Sequence, residues 1–196
     1  MKRVLSIQDI SCIGKCSLTV ALPIISAMGI ETSILPTSIL STHTMFNDFT
    51  FRDLTDDMEP IKKHWQKEGF SFDAIYTGYL GSEKQITLVK DYFKTFGNTC
   101  KYIIVDPAMA DNGKLYSGFD KDFPLKMAKL CKYADVILPN ISEAAFMTGM
   151  PYPGENASNE CIKDLLLSLA KLGSKKIVIT GVCLLYTSDA ADDLTR

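Results

Sequence analysis

The sequence is poor in the residues that carry nucleophilic, redox or zinc chemistry. It has two histidines in 196 residues, His43 and His64, and no GxSxG stretch, so no serine-hydrolase triad is assembled. Neither GxGxxG nor a Walker A sequence occurs, which excludes the two commonest glycine-rich nucleotide signatures. The six cysteines (Cys12, Cys16, Cys100, Cys131, Cys161 and Cys183) are scattered, and none forms a CxxC pair. Cys12 and Cys16 are four apart, but no second Cys/His pair matches them, which argues against zinc. They read as reduced thiols acting as small buried hydrophobes in a cytoplasmic protein. No charge of one sign dominates: the net charge is -2, so no basic field points to nucleic acid or an anionic membrane. No apolar run approaches the length of a membrane span, and MKRVLSIQDIS lacks a signal-peptide core.

What is present is a chain of globular composition, 46% hydrophobic and 22% charged, long enough for one domain with a sizeable core. Short β-branched runs alternate with helical patterns. Strands are expected at Arg3–Gln8, Ile30–Leu35, Asp73–Thr77, Tyr102–Val105, Val136–Leu138 and Lys176–Thr180. Helices are expected at Lys15–Met28, Asp53–Gly69, Glu83–Phe96, Lys121–Tyr133, from near Ser142, and at Ser158–Leu172. Pro60 suggests that the second helix starts later than Asp53. Pro36–Phe51 reads as a long loop of the kind that forms lids. This alternation predicts a doubly wound, mainly parallel sheet covered by helices on both faces.

In such a sheet, ligands bind at the carboxyl ends of the strands. The stretch KYIIVDPAMADNGKLY places Asp106 there, because Pro107 cannot donate to a ladder and ends the strand. Asp9 with Ser11, Thr77 to Ser82, and Asn140 with Glu143 fall on the same edge. Each has a bland alternative: Asn140-Ile-Ser-Glu143 is close to a helix-start signature, and Asp111-Asn112-Gly113 is a turn. Their convergence on one edge favours a site. Carboxylates without histidine or cysteine ligands suit Mg²⁺, and Mg²⁺ with few carboxylates suits phosphoryl transfer.

The ordered segments SIQDISCIGKCSLTVALPIISAMG, LPTSILSTHT, TGYLGS, VDPAMADNGKLY, ADVILPNISEAAFMTG and KIVITGV resemble the pyridoxal/pyridoxamine (vitamin B6) kinases of the ribokinase-like superfamily. The resemblance implies a three-layer α/β/α sandwich and ATP-dependent phosphorylation of the 5′-hydroxyl of a B6 vitamer. By the same resemblance, Asp9, His43, Thr44 and Tyr79 contact the vitamer. Asp106, Asn140, Glu143 and Thr180 serve ATP, with Asp106 and, through water, Glu143 supporting Mg²⁺. It also implies a homodimer at full length.

Two departures shape the expectation. The family continues into a GTGD motif that supplies the anion hole and catalytic base, and no GTGD occurs here. CLLYTSDAADDLTR, Cys183–Arg196, looks like translated sequencing-adapter sequence. Residues 1–182 are therefore expected to be a partial kinase domain, incomplete at the C-terminus and inactive alone, and 183–196 a non-native tail. The alternatives are a hydroxymethylpyrimidine kinase fragment, a non-catalytic vitamer-binding module, and an α/β domain without a ligand.

Overall fold

A computed structural model of the chain describes residues 1–44, 46–154 and 157–182. Cys183 and the expected non-native tail lie outside them. In chain order the elements are β1 (Arg3–Ser11), α1 (Leu18–Ala27), β2 (Glu31–Leu40), β3 (Phe51–Asp53), α2 (Thr55–Lys67), β4 (Ala74–Thr77), α3 (Glu83–Phe96), β5 (Tyr102–Val105), β6 (Ala110–Asp111), β7 (Lys114–Leu115), α4 (Phe123–Cys131), β8 (Val136–Ile137), α5 (Ile141–Thr148), α6 (Asn159–Ala170) and β9 (Lys176–Ile177).

Seven strands form one sheet in the order β3-β2-β1-β4-β5-β8-β9. All pairings are parallel except β2 with β3. The strands are apolar because both sheet faces are covered: Leu5, Ile7, Leu35, Ile75, Val105 and Ile137 are fully buried. On one side Trp65 packs edge-on against Phe72, Tyr92 and Phe96, and the Tyr92 hydroxyl donates to the Met58 carbonyl at 2.6 Å. The expected inner face of α2, Met58 and Trp65, is therefore the one that packs on the core.

Several expectations need correction. Asp9 does not lie in a loop, because β1 runs on to Ser11. The lid-like loop from Pro36 is largely strand: β2 continues to Leu40 and turns back through β3, with Ser38 opposite Asp53. Ser41 and Thr50 staple the remaining loop through two backbone-donated bonds of 3.0 and 2.8 Å. Pro60 does not delay α2, which starts at Thr55 with that proline inside it. Asp53 fixes the start by accepting the Thr55 N–H at 2.6 Å, and Asp56 and Asp57 complement the helix dipole. The cysteines are not uniformly buried: Cys131 is, Cys12 is exposed, and the other three described are intermediate. Helix α1, apolar nearly all round, buries only Leu18 and leaves Ile24 and Met28 more than half exposed.

One element was not expected as strand. Asp111-Asn112-Gly113 forms the turn of a β6–β7 hairpin, with positive φ at both Asn112 (49°) and Gly113 (70°). Gly113 also donates its N–H to the Ser142 hydroxyl at 2.8 Å, docking the hairpin on α5. A Cβ at Gly113 would lie 2.5 Å from the Tyr152 ring, whereas one at Gly29 would meet nothing within 4 Å. Gly113→Ala is therefore expected to destabilise the protein by about 2 to 4 kcal/mol, through strain and overpacking, against about 1 for Gly29→Ala. Urea unfolding of both variants checks this, and equal losses would contradict it.

Candidate active site

The carboxyl ends of β1, β4, β5 and β8 meet at one edge, and the polar residues singled out in the sequence gather there in two groups. The first is built around a β-bulge. Gln8 pairs with Pro36 and Ile10 with Ile39, so Thr37 and Ser38 together oppose Asp9. Pro36 has no N–H for the ladder, and the irregularity follows directly after it. Asp9 is 6% exposed, and its Oδ1 has no hydrogen-bond partner. Burial raises its carboxyl pKa above the ordinary value, while the Ser17 hydroxyl and His43 beside it pull the other way.

The loops that frame Asp9 are stitched together. The Cys12 N–H donates to the Leu40 carbonyl at 2.8 Å and the His43 N–H to the Ile13 carbonyl at 3.0 Å. Gly14 allows the approach: a Cβ there would sit 3.2 Å from the His43 Cβ. Ser17 adopts φ 50°, ψ -131°, a region that side chains other than glycine rarely occupy. It begins α1 without a side-chain cap, its hydroxyl being turned to Asp9. Tyr79 is held from behind, where the Thr37 hydroxyl donates to its carbonyl at 3.1 Å. Fully buried Gln85 accepts the Gly81 N–H at 2.8 Å and donates to the Thr37 carbonyl and the Thr55 hydroxyl, both at 2.9 Å. Burial raises the Tyr79 hydroxyl pKa, with Asp9 and Asp53 adding to it.

The second group centres on Asp106 and Glu143. Asn140 and Glu143 form a complete capping box at the start of α5. The same side chains also hold the loop after β5: Glu143 Oε1 accepts the Met109 N–H at 3.2 Å and Asn140 Nδ2 donates to the Ala110 carbonyl at 2.8 Å. Burial pushes the Glu143 carboxyl up to about 8, with Asp106 adding to it against the pull of the backbone donors. Burial likewise pushes Asp106 up to about 6, opposed by a hydrogen bond from the Tyr76 hydroxyl. Gln8 in turn bonds to Tyr76 and donates to the Ser6 hydroxyl at 3.1 Å, so a polar relay crosses β1, β4 and β5.

A cleft of about 420 Å³ joins the two groups, lined by Ser17 and Tyr79 from the first, by Tyr76 and Asp106 from the second, and by Lys15 and Ile24. Thr44 and Thr180 are exposed at its margins. Thr180 is bridged to Asn140 two strands away from β5. Gln8, Ser17, Tyr76 and Gln85 belong to the site's framework without having been singled out from the sequence. Tyr76 could have been found as the polar-tipped residue one before the end of β4. The backbone strain at Ser17 leaves no trace in residue type.

A profile of the phosphomethylpyrimidine kinases matches residues 31–195. The chain belongs to that family. A Bacteroides thetaiotaomicron protein assigned to the phosphomethylpyrimidine kinases and crystallised with pyridoxal is 41% identical, with a TM-score of 0.88 over 94% of this chain and 64% of that one. The pyridoxal kinase of Lactobacillus plantarum is 34% identical, with a TM-score of 0.80 over 93% of this chain and 62% of that one. A pyridoxal kinase of Actinobacillus pleuropneumoniae is 27% identical over 91% of this chain and 63% of its own length. The chain thus spans slightly under two thirds of these relatives. The family is one of kinases, and its fold is the mainly parallel α/β sheet described above.

The buried acids carry a pH signature. A carboxyl raised in the folded state favours folding below its ordinary value and loses that contribution as pH rises through the folded value. Asp106 should therefore cost the protein roughly 2–3 kcal/mol of stability between about pH 4 and pH 6, and Glu143 should extend the loss toward pH 8. Asp106→Asn is expected to flatten the lower part of this profile and to raise stability at pH 7. Chemical denaturation across pH 4–8 measures it, and an unchanged slope in the variant would refute the assignment.

Proposed function

We propose that residues 1–182 carry the vitamer-binding edge, and part of the phosphate-binding edge, of a kinase that phosphorylates the 5′-hydroxyl of a B6 vitamer with ATP. The observation that carries this reading is the shared cleft: the loops around Asp9, His43 and Tyr79 and the acids Asp106 and Glu143 converge on one space at the strand ends. The relative crystallised with pyridoxal and the pyridoxal kinases among the similar proteins point to the same substrate class.

In this reading Asp9, His43, Thr44 and Tyr79 surround the vitamer ring, with Tyr79 fixed by Thr37 and Gln85 rather than free to swing. Asp106, Asn140, Glu143 and Thr180 face the nucleotide. The donor set fits Mg²⁺: Asp106 offers a carboxylate at the cleft, while both Glu143 oxygens accept backbone N–H groups and reach a cation best through water. Mg²⁺ bound with the nucleotide supplies charge neutralisation for the phosphoryl group. No catalytic base is assigned, because no GTGD stretch occurs in the sequence. The chain should therefore bind a vitamer without turning over ATP.

A second reading, phosphorylation of hydroxymethylpyrimidine, is favoured by the matching family profile and by a Haemophilus influenzae hydroxymethylpyrimidine/phosphomethylpyrimidine kinase 30% identical over 117 residues. Steady-state rates with pyridoxal, pyridoxamine and hydroxymethylpyrimidine, measured on a reading frame of the relatives' length, separate the two. The B6 reading expects kcat/KM for a vitamer at least about tenfold higher, worth about 1.4 kcal/mol in the transition state. A preference for hydroxymethylpyrimidine would reverse the assignment.

A further inference from the structure

We propose that Asp9 determines specificity at the vitamer end of the cleft, its unpartnered carboxylate oxygen selecting ligands that present a cationic N–H donor, so that pyridoxamine is preferred over pyridoxine. The inference rests on the B6-vitamer reading above and names the subclass of substrate within it.

Three observations lead there. Asp9 is more than nine-tenths buried, yet Oδ1 meets no donor from the protein. A buried carboxylate oxygen without a partner is costly and persists where something outside the fold supplies the donor. Asp9 also does no evident structural work: it caps no helix, α1 starting at Ser17 without a side-chain cap. Two distortions bring it into place, the bulge that sets Thr37 and Ser38 opposite it and the positive φ of Ser17, whose hydroxyl faces it. Bulges re-aim side chains, and strained backbone gathers at ligand sites.

The charge follows from the surroundings. Among the described residues no lysine or arginine forms an ion pair with Asp9. The neighbours are His43, the Ser17 hydroxyl and the Tyr79 hydroxyl, and the negative charge of Asp9 is felt at Tyr79. A neutral hydroxyl on the ligand would satisfy the hydrogen bond and leave the buried charge. An ammonium or pyridinium N–H satisfies both, and charge-assisted bonds of this kind are the stronger ones. Pyridoxamine carries an exocyclic ammonium in addition to its ring nitrogen, whereas pyridoxine carries the ring nitrogen alone.

The test is equilibrium binding of pyridoxamine and pyridoxine to the 196-residue chain and to Asp9→Asn, by titration calorimetry, with melting of both ligand-free proteins. The expected result is an affinity for pyridoxamine at least about tenfold above that for pyridoxine, lost in Asp9→Asn. The variant should also melt at a higher temperature than the parent without ligand, since a neutral amide relieves the unpaired charge. A purely structural Asp9 would lower it. If Asp9→Asn does not fold, Asp9→Ser replaces it in the same titrations. Equal affinity of parent and variant for both vitamers overturns the proposal and leaves the B6 reading standing. No measurable binding of any vitamer to the folded parent overturns both.

Discussion

Three carboxylates, Asp9, Asp106 and Glu143, are buried at one edge of a parallel sheet, and much of the local structure is arranged around keeping them there. Taking a carboxylate out of water disfavours its charged form, and all three have raised pKa values with burial as the leading cause. Each is managed differently. Glu143 is surrounded by backbone N–H groups, Asp106 takes one phenolic hydroxyl, and Asp9 keeps an oxygen with no partner. This gradation from satisfied to unsatisfied runs from scaffold to ligand site.

Supporting these acids requires loops that do not move independently. Gln85 bonds at once to the Gly78–Ser82 turn, to β2 at Thr37 and to the first residue of α2, so three elements share one buried amide. The Asn140–Glu143 box does the same for α5 and the loop after β5, and the hairpin tip at Gly113 joins them through Ser142. A structural reading and a functional one do not compete at Asn140 and Glu143. Capping the helix is what brings the carboxylate beside Asp106.

The parts of the site that were legible share a cause. Asp106 was visible because an apolar run ends at a proline, and Asn140 with Glu143 because helix starts have a signature three residues long. The strand-helix alternation was readable wherever a buried strand is continuous in β-branched residues, as at Tyr102–Val105. The misplacements also share one. At Asp9 and through Pro36–Leu40, polar residues and a proline sit inside strands, where a partner strand overrides local preference. Tyr76 looked like any strand residue, and only its position beside Asp106 gives the hydroxyl a role.

The sequence by itself determined the class of the sheet, the edge that carries chemistry and the family, because periodicity, strand-ending residues and ordered motifs are properties of the chain read locally. The tertiary structure decided which of the edge residues meet, that the supposed lid is mostly strand, and that one acid among three is left without a donor. Those outcomes depend on register across β1 and β2, on backbone angles at Ser17 and Gly113, and on burial, and none of these is encoded at any single position.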